Sequence, residues 1–131
     1  MRATIAAVLL AAVLAAAEDP ADVRKKIDEL IPALASANAD EAARANGALE
    51  RICLTAGRPG ASAERRAVCE AVAARIGDDV PVQARALLIA QLAVVGREEG
   101  VGALSKLLGN DVDPRLREEA RAALEAMPVP Q

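Results

Sequence analysis

The chain has 131 residues and a formal net charge of −3, and it contains neither an aromatic residue nor a histidine. A mildly acidic chain without aromatic rings lacks the basic face and the stacking groups that nucleic-acid binders use, so we expect no nucleic-acid partner. The absence of histidine also excludes histidine general bases and histidine ligands to metal or haem.

Residues 1–17 have the pattern of an export signal. Met1-Arg2 gives a positive start, an apolar run follows, and Ala15-Ala16-Ala17 provides the small residues that a signal peptidase accepts. The run is shorter than the roughly 20 residues of a spanning helix. We therefore predict cleavage before Glu18 and a mature domain, residues 18–131, in the periplasm or outside the cell, within a bacterial envelope and without membrane attachment. An uncleaved anchor or a buried helix are the alternatives.

The remaining chain is predicted to be helical throughout, because good helix formers dominate it and no alternating β-branched run occurs. The first helix opens at Asp19-Pro20, with proline in its first turn. The chain then turns at "ASANADE", where Asn38 or Asp40 caps a second helix. These two helices form a predicted hairpin of approximately residues 19–56, which ends at "AGRPGAS".

Two further hairpins follow, at approximately residues 62–95 and 97–127. In the first of them, "GDDVP" separates a helix from the apolar segment Ala86–Val95, which Gly96 ends. In the second, "NDVDP" separates "REEGVGALSKLLG" from "RLREEARAALEAM". Gly and Pro thus divide the chain into six predicted helices.

The two later hairpins repeat one another. Three apolar positions recur 32 residues apart, namely Cys69, Val72 and Ile76 with Val101, Leu104 and Leu108. The first hairpin matches less closely. A shared offset across helix, loop and helix predicts an all-α fold, an α-solenoid of three stacked antiparallel helix pairs. Because the middle unit of such a stack is covered on both sides, we expect Ala86–Val95 to be a core helix.

The segment "LSKLLGNDVDPRLREEARAALEAM", Leu104 to Met127, resembles a HEAT repeat of the short type found in phycobilisome-lyase-like proteins. Its double leucine, its loop aspartate and the pair Leu116-Arg117 carry the resemblance. The neighbouring segment is similar to HEAT-like segments of secreted planctomycete-type proteins. The resemblance is good over residues 66–128 and loose over 19–56. It implies a ladder between repeats, formed by loop aspartates and helix arginines: Asp79, Arg85, Asp111 and Arg117. A capping aspartate and a solvated arginine are the alternative.

No catalytic, cofactor-binding or metal-binding residue is predicted, because the chain has no glycine-rich phosphate loop and no nucleophile elbow. The resemblance implies instead an exported, non-catalytic scaffold whose second helices bind a protein partner of unknown identity. The candidate residues of that face are Arg85, Gln91, Arg117, Arg121 and Glu125. Self-association through the C-terminal repeat is a further expectation. A lyase-type enzyme or enzyme subunit of the phycobilisome-lyase-like class is the alternative.

Cys53 and Cys69 are a candidate disulfide, because an even number of cysteines in an exported chain permits a bridge. They lie on consecutive predicted helices, but at heights that differ by several ångströms at about 1.5 Å per residue. A disulfide tolerates a Cα separation of only about 4.4–6.8 Å. Two buried free thiols are the alternative.

Overall fold

A computed structural model describes residues 19–77, 79–109 and 112–127, and this part of the chain is helical without a strand. Its helices are α1 (Pro20–Leu34), α2 (Ala39–Ala56), α3 (Ser62–Ala73), α4 (Val82–Val95), α5 (Glu98–Ser105) and α6 (Pro114–Ala126), and a short 3-10 turn, Lys106–Leu108, continues α5. The predicted all-α class is confirmed. The predicted export signal lies outside the described residues. Within these ranges, no helix combines the length and the apolarity needed to cross a membrane.

The helix starts depend on local capping. Asp19 Oδ1 accepts a hydrogen bond from the Ala21 N–H at 2.8 Å, with Pro20 as the first helical residue. Of the two predicted caps of α2, Asn38 is the one observed, and its Oδ1 accepts from two backbone N–H groups at 3.0 and 3.1 Å. Asp113 caps α6 in the same way, ahead of a second first-turn proline. Short polar side chains therefore fix three of the helix starts, and in two of them a proline follows the cap.

The helices pack in alternation. α1 packs against α3 and α3 against α5, while α2 packs against α4 and α4 against α6. The members of each sequential pair, α1–α2, α3–α4 and α5–α6, also pack against each other. The middle pair, α3–α4, is therefore in contact with both of the others.

The centre of the core is α4, which packs against α1, α2, α3 and α6. Leu88, Ile89 and Leu92 are completely buried, and burial of each such side chain contributes about 1.5–3 kcal/mol. The prediction that this apolar segment is a core helix is confirmed. The burial does not extend all round, however, because Val94 is 46% exposed.

Candidate protein-binding face

The exposed side of α6 carries an ion network centred on Arg121. Its Nε donates to Glu118 Oε2 at 3.0 Å and its Nη1 donates to Glu125 Oε1 at 2.6 Å, while Nη2 donates to Glu118 Oε1. The hydrogen bonds to Glu118, which have the largest effect, and to Glu125 raise the pKa of Arg121. The same hydrogen bonding to Arg121 lowers the pKa of Glu118. All three side chains are exposed, so the network presents charge to solvent and adds little to stability.

This network occupies positions that are apolar in the preceding unit. The residues 32 positions earlier are Ala86, Ile89 and Ala93 of α4, of which the first two are buried and the third half-buried. The side of α4 that carries these apolar residues therefore has a charged, exposed equivalent on α6. A charged, internally paired surface does not favour the expected self-association through this repeat, which stays a prediction.

The five residues predicted for the partner-binding face have different environments. Arg121 and Glu125 are exposed on α6, and Arg117 and Arg85 are half-buried. Gln91 is only 7% exposed, so its prediction as a partner-binding residue is wrong for this structure. The reason is that helices cover α4 on several sides, and the side chain of Gln91 lies in the covered part.

Two exposed apolar side chains on the same second helices were missed by the sequence pattern. Leu54 in the last turn of α2 is 66% exposed, and Val94 in the last turn of α4 is 46% exposed. α2 and α4 pack against each other. The exposure of Leu54 could have been predicted from the sequence, because Leu54 lies outside the apolar stripe of α2, which includes Cys53. Val94 had no such signal, because α4 is apolar on every side.

In the predicted aspartate–arginine ladder, Asp79 has a partner that the pattern did not include. Asp79 Oδ2 lies 3.4 Å from Nη1 of Arg75, in its own unit, and the ladder itself stays a prediction. Asp79 does not cap α4, since α4 has no side-chain cap. Arg75 Nε also lies 3.3 Å from Asp28 Oδ1 on α1, so it is Arg75 that joins the first pair to the second. Asp111 lies outside the described residues, and its part of the ladder stays a prediction.

Two other polar side chains connect one pair to the next at helix ends. Gln83, in the first turn of α4, donates from Nε2 to the carbonyl oxygens of Leu34 at 2.9 Å and Ser36 at 3.2 Å. Arg65 of α3 donates to the carbonyl of Val95 at 2.9 Å and forms an ion pair with Glu99 in the first turn of α5. Carbonyl groups at the C-terminus of a helix lack intrahelical partners, so both side chains satisfy acceptors while they hold neighbouring pairs in register.

Cys53 on α2 and Cys69 on α3 are free thiols, and both are fully buried. Burial raises the pKa of Cys53 to about 12, and the nearby Cys69 adds to the increase. Burial also raises the pKa of Cys69, although a hydrogen bond from the Arg97 backbone opposes it. Thiols with raised pKa values react slowly at neutral pH. The Cys53–Cys69 bridge stays a prediction.

In the described ranges, no three Cys, Asp or Glu side chains converge as metal ligands would. Comparison with known proteins finds no matching family model, no matching curated protein and no matching solved structure.

Proposed function

We propose that this chain is an exported, non-catalytic scaffold, a HEAT-like α-solenoid of three helix pairs that binds a protein partner through its second helices, α2, α4 and α6. The observation that carries the proposal is the alternating packing, in which first helices contact first helices and second helices contact second helices. In a solenoid each unit contacts its neighbours along one direction. The repeated offset of 32 residues between the later pairs supports the same architecture.

The proposed binding face combines apolar anchors with charge. Leu54 and Val94 expose large apolar side chains on α2 and α4, and Arg121 and Glu125 expose charged groups on α6. Apolar side chains near a polar rim are the usual composition of a protein–protein interface. The partner is therefore a protein with a complementary apolar patch.

Export of the scaffold rests on residues 1–17, with their positive start, apolar run and small residues before Glu18. The partner is then a protein of the bacterial envelope or its surroundings. Mass spectrometry of the protein recovered outside the cytoplasm tests this step, and we expect an N-terminus at Glu18. Recovery of the intact chain in the cytoplasm alone contradicts it.

A capture experiment tests the binding function, with the purified protein as bait against an envelope extract of its host. We expect one reproducible partner, whose affinity falls tenfold or more, about 1.4 kcal/mol, with Val94→Lys or Arg121→Glu. Val94 and Arg121 are both exposed, so neither change should unfold the chain, which circular dichroism checks. Arg24→Glu, an exposed charge reversal on α1, is the matched control and should bind normally.

Two results of the capture experiment would contradict the proposal. Equal binding by Val94→Lys, Arg121→Glu and the Arg24→Glu control places the interface elsewhere and overturns the proposed face. Recovery of the bait alone, across extracts that contain the envelope proteins, overturns the scaffold function itself.

A further inference from the structure

A cavity of about 230 Å³ opens where α1, α2 and α3 meet, and none of the proposed binding residues lines it. Its apolar floor consists of Val23, Ile52 and Val68, one residue from each helix. Val23 and Val68 are buried, and Ile52 is half-buried. Because α1, α2 and α3 all pack against one another, the shape of this floor is set by the core.

The rim of the cavity is polar and open to solvent. Arg51 and Thr55 of α2 line it and are exposed, and neither the guanidinium nor the hydroxyl is bonded to another of the described residues. Glu64 lies on the rim as well, but its carboxylate is 2.8 Å from Nη2 of Arg58. The acidic group of the rim is therefore compensated, whereas the guanidinium of Arg51 is not.

Lys26 of α1 brings a second positive charge to the rim. Together with Asp22 and Glu29 of its own helix it also lines a neighbouring surface depression, where the two carboxylates reduce the positive potential. Recognition of a ligand at the rim is therefore assigned to Arg51 and Thr55, with Lys26 as a favourable neighbour.

We propose that this cavity binds a small aliphatic carboxylate, with the chain on the apolar floor and the carboxylate at Arg51. A guanidinium donates two parallel hydrogen bonds to a carboxylate, which makes arginine the preferred residue for this recognition. The Thr55 hydroxyl donates a third. The cavity is smaller than the roughly 300–1,000 Å³ of sites for drug-sized ligands, so the ligand has a short chain.

Titration of the purified protein with hexanoate, followed by heteronuclear NMR, tests the proposal. With hexanoate we expect saturable chemical-shift changes at residues around the cavity. Hexylammonium, which has the same chain and the opposite charge, should give no saturable changes. Acetate, which lacks the chain, should bind more weakly than hexanoate. Arg51→Gln should weaken hexanoate binding about tenfold or more, and Thr55→Val about threefold. Arg44→Gln, on an exposed part of the same helix outside the cavity, should leave it unchanged.

The absence of saturable hexanoate shifts overturns the proposal, as do equal binding of hexylammonium and an Arg51→Gln variant with unchanged affinity. These results are independent of the scaffold function. Arg51 and Thr55 are not among the residues proposed to bind the partner, and neither Val94 nor Arg121, the positions changed in the capture experiment, lines the cavity. The two experiments therefore use different variants, and either can fail without the other.

Discussion

At the scale of single residues, two glycines that look alike in the sequence have opposite environments. A Cβ atom on Gly96 would lie 2.3 Å from the backbone oxygen of Leu92 and 3.2 Å from the Sδ and Cε atoms of Met127. A Cβ atom on Gly102, in α5, would have no atom within 4 Å other than those of its chain neighbours and the nearby backbone of its own helix. Gly96 is required by the close approach of backbone and core, whereas Gly102 only weakens its helix.

Substitution by alanine should therefore have opposite effects at the two positions. Gly96→Ala should lower the free energy of unfolding by about 1–3 kcal/mol, because a backbone oxygen cannot move aside. Gly102→Ala should raise it by about 0.5–1 kcal/mol, because alanine loses less conformational freedom in a helix. Urea unfolding followed by circular dichroism measures both, and a Gly96→Ala variant as stable as the parent contradicts the steric argument.

At the scale of helices, stability depends on polar contacts that join the end of one element to the side of another. Arg65 of α3 reaches the last turn of α4 through Val95 and the first turn of α5 through Glu99. The side chains of Arg65 and Glu99 are only 14% and 13% exposed, so solvent screens this pair less than the exposed network of α6. Loss of one partner would leave the other charge half-buried and unpaired.

Glu99→Gln should make the protein less stable, and the loss should depend on pH. Burial raises the pKa of Glu99, but the hydrogen bond from Arg65, a backbone hydrogen bond and the positive charges of Arg65 and Arg66 together outweigh it, and the pKa is lowered from its ordinary value of 4.5. A carboxyl with a lower pKa in the folded state adds stability above the unfolded-state pKa, and this stability is lost as the pH falls through the folded-state pKa. We expect Glu99→Gln to cost about 1–3 kcal/mol at neutral pH.

The measurement is urea unfolding at neutral pH and at a pH below the folded-state pKa of Glu99, where the difference between parent and variant should shrink. Glu29→Gln, an exposed carboxyl on α1, is the matched control and should change stability little at either pH. A difference for Glu99→Gln that stays constant with pH would show that the charge of Glu99 does not stabilise the fold.

In the molecule as a whole, α4 and α6 differ in the polarity of the side chains at equivalent positions. The positions that are Ala86, Ile89 and Ala93 on α4 are Glu118, Arg121 and Glu125 on α6, and the charged set is exposed and internally paired. In the proposed solenoid, a side that no neighbouring pair covers has to be polar. The exposed charges on α6 meet this requirement for the described pairs.

Transfer of the α4 residues to α6 should therefore create a surface for stacking. We expect the triple variant Glu118→Ala, Arg121→Ile and Glu125→Ala to self-associate more strongly than the parent, because it exposes an apolar stripe. Sedimentation equilibrium over a range of concentrations measures this. The matched control replaces the same three residues by glutamine, which removes charge without apolar surface. Equal association of the two variants would contradict the role of apolar stacking.

Much of the fold was predictable because its signals are local. Helix periodicity, the caps Asp19 and Asn38, and the proline and glycine breaks each depend on a few neighbouring residues. The candidate face was predictable only where a helix is amphipathic, as with Arg121 and Glu125 on α6. On α4 it was not, because a helix that is apolar on every side gives no periodic signal for its exposed side.

Local patterns in the sequence were enough to predict that the described residues are helical, the approximate bounds of the helices, and the place of α4 in the core. Tertiary structure alone decided that Gln91 is buried while Val94 is exposed, that Asp79 pairs with Arg75, and that Arg65 connects three helices. The physical reason is the distance along the sequence over which each kind of interaction acts. Helix formation and capping depend on interactions within about one turn, whereas burial and ion pairing depend on residues that are distant in sequence and are brought together only by packing.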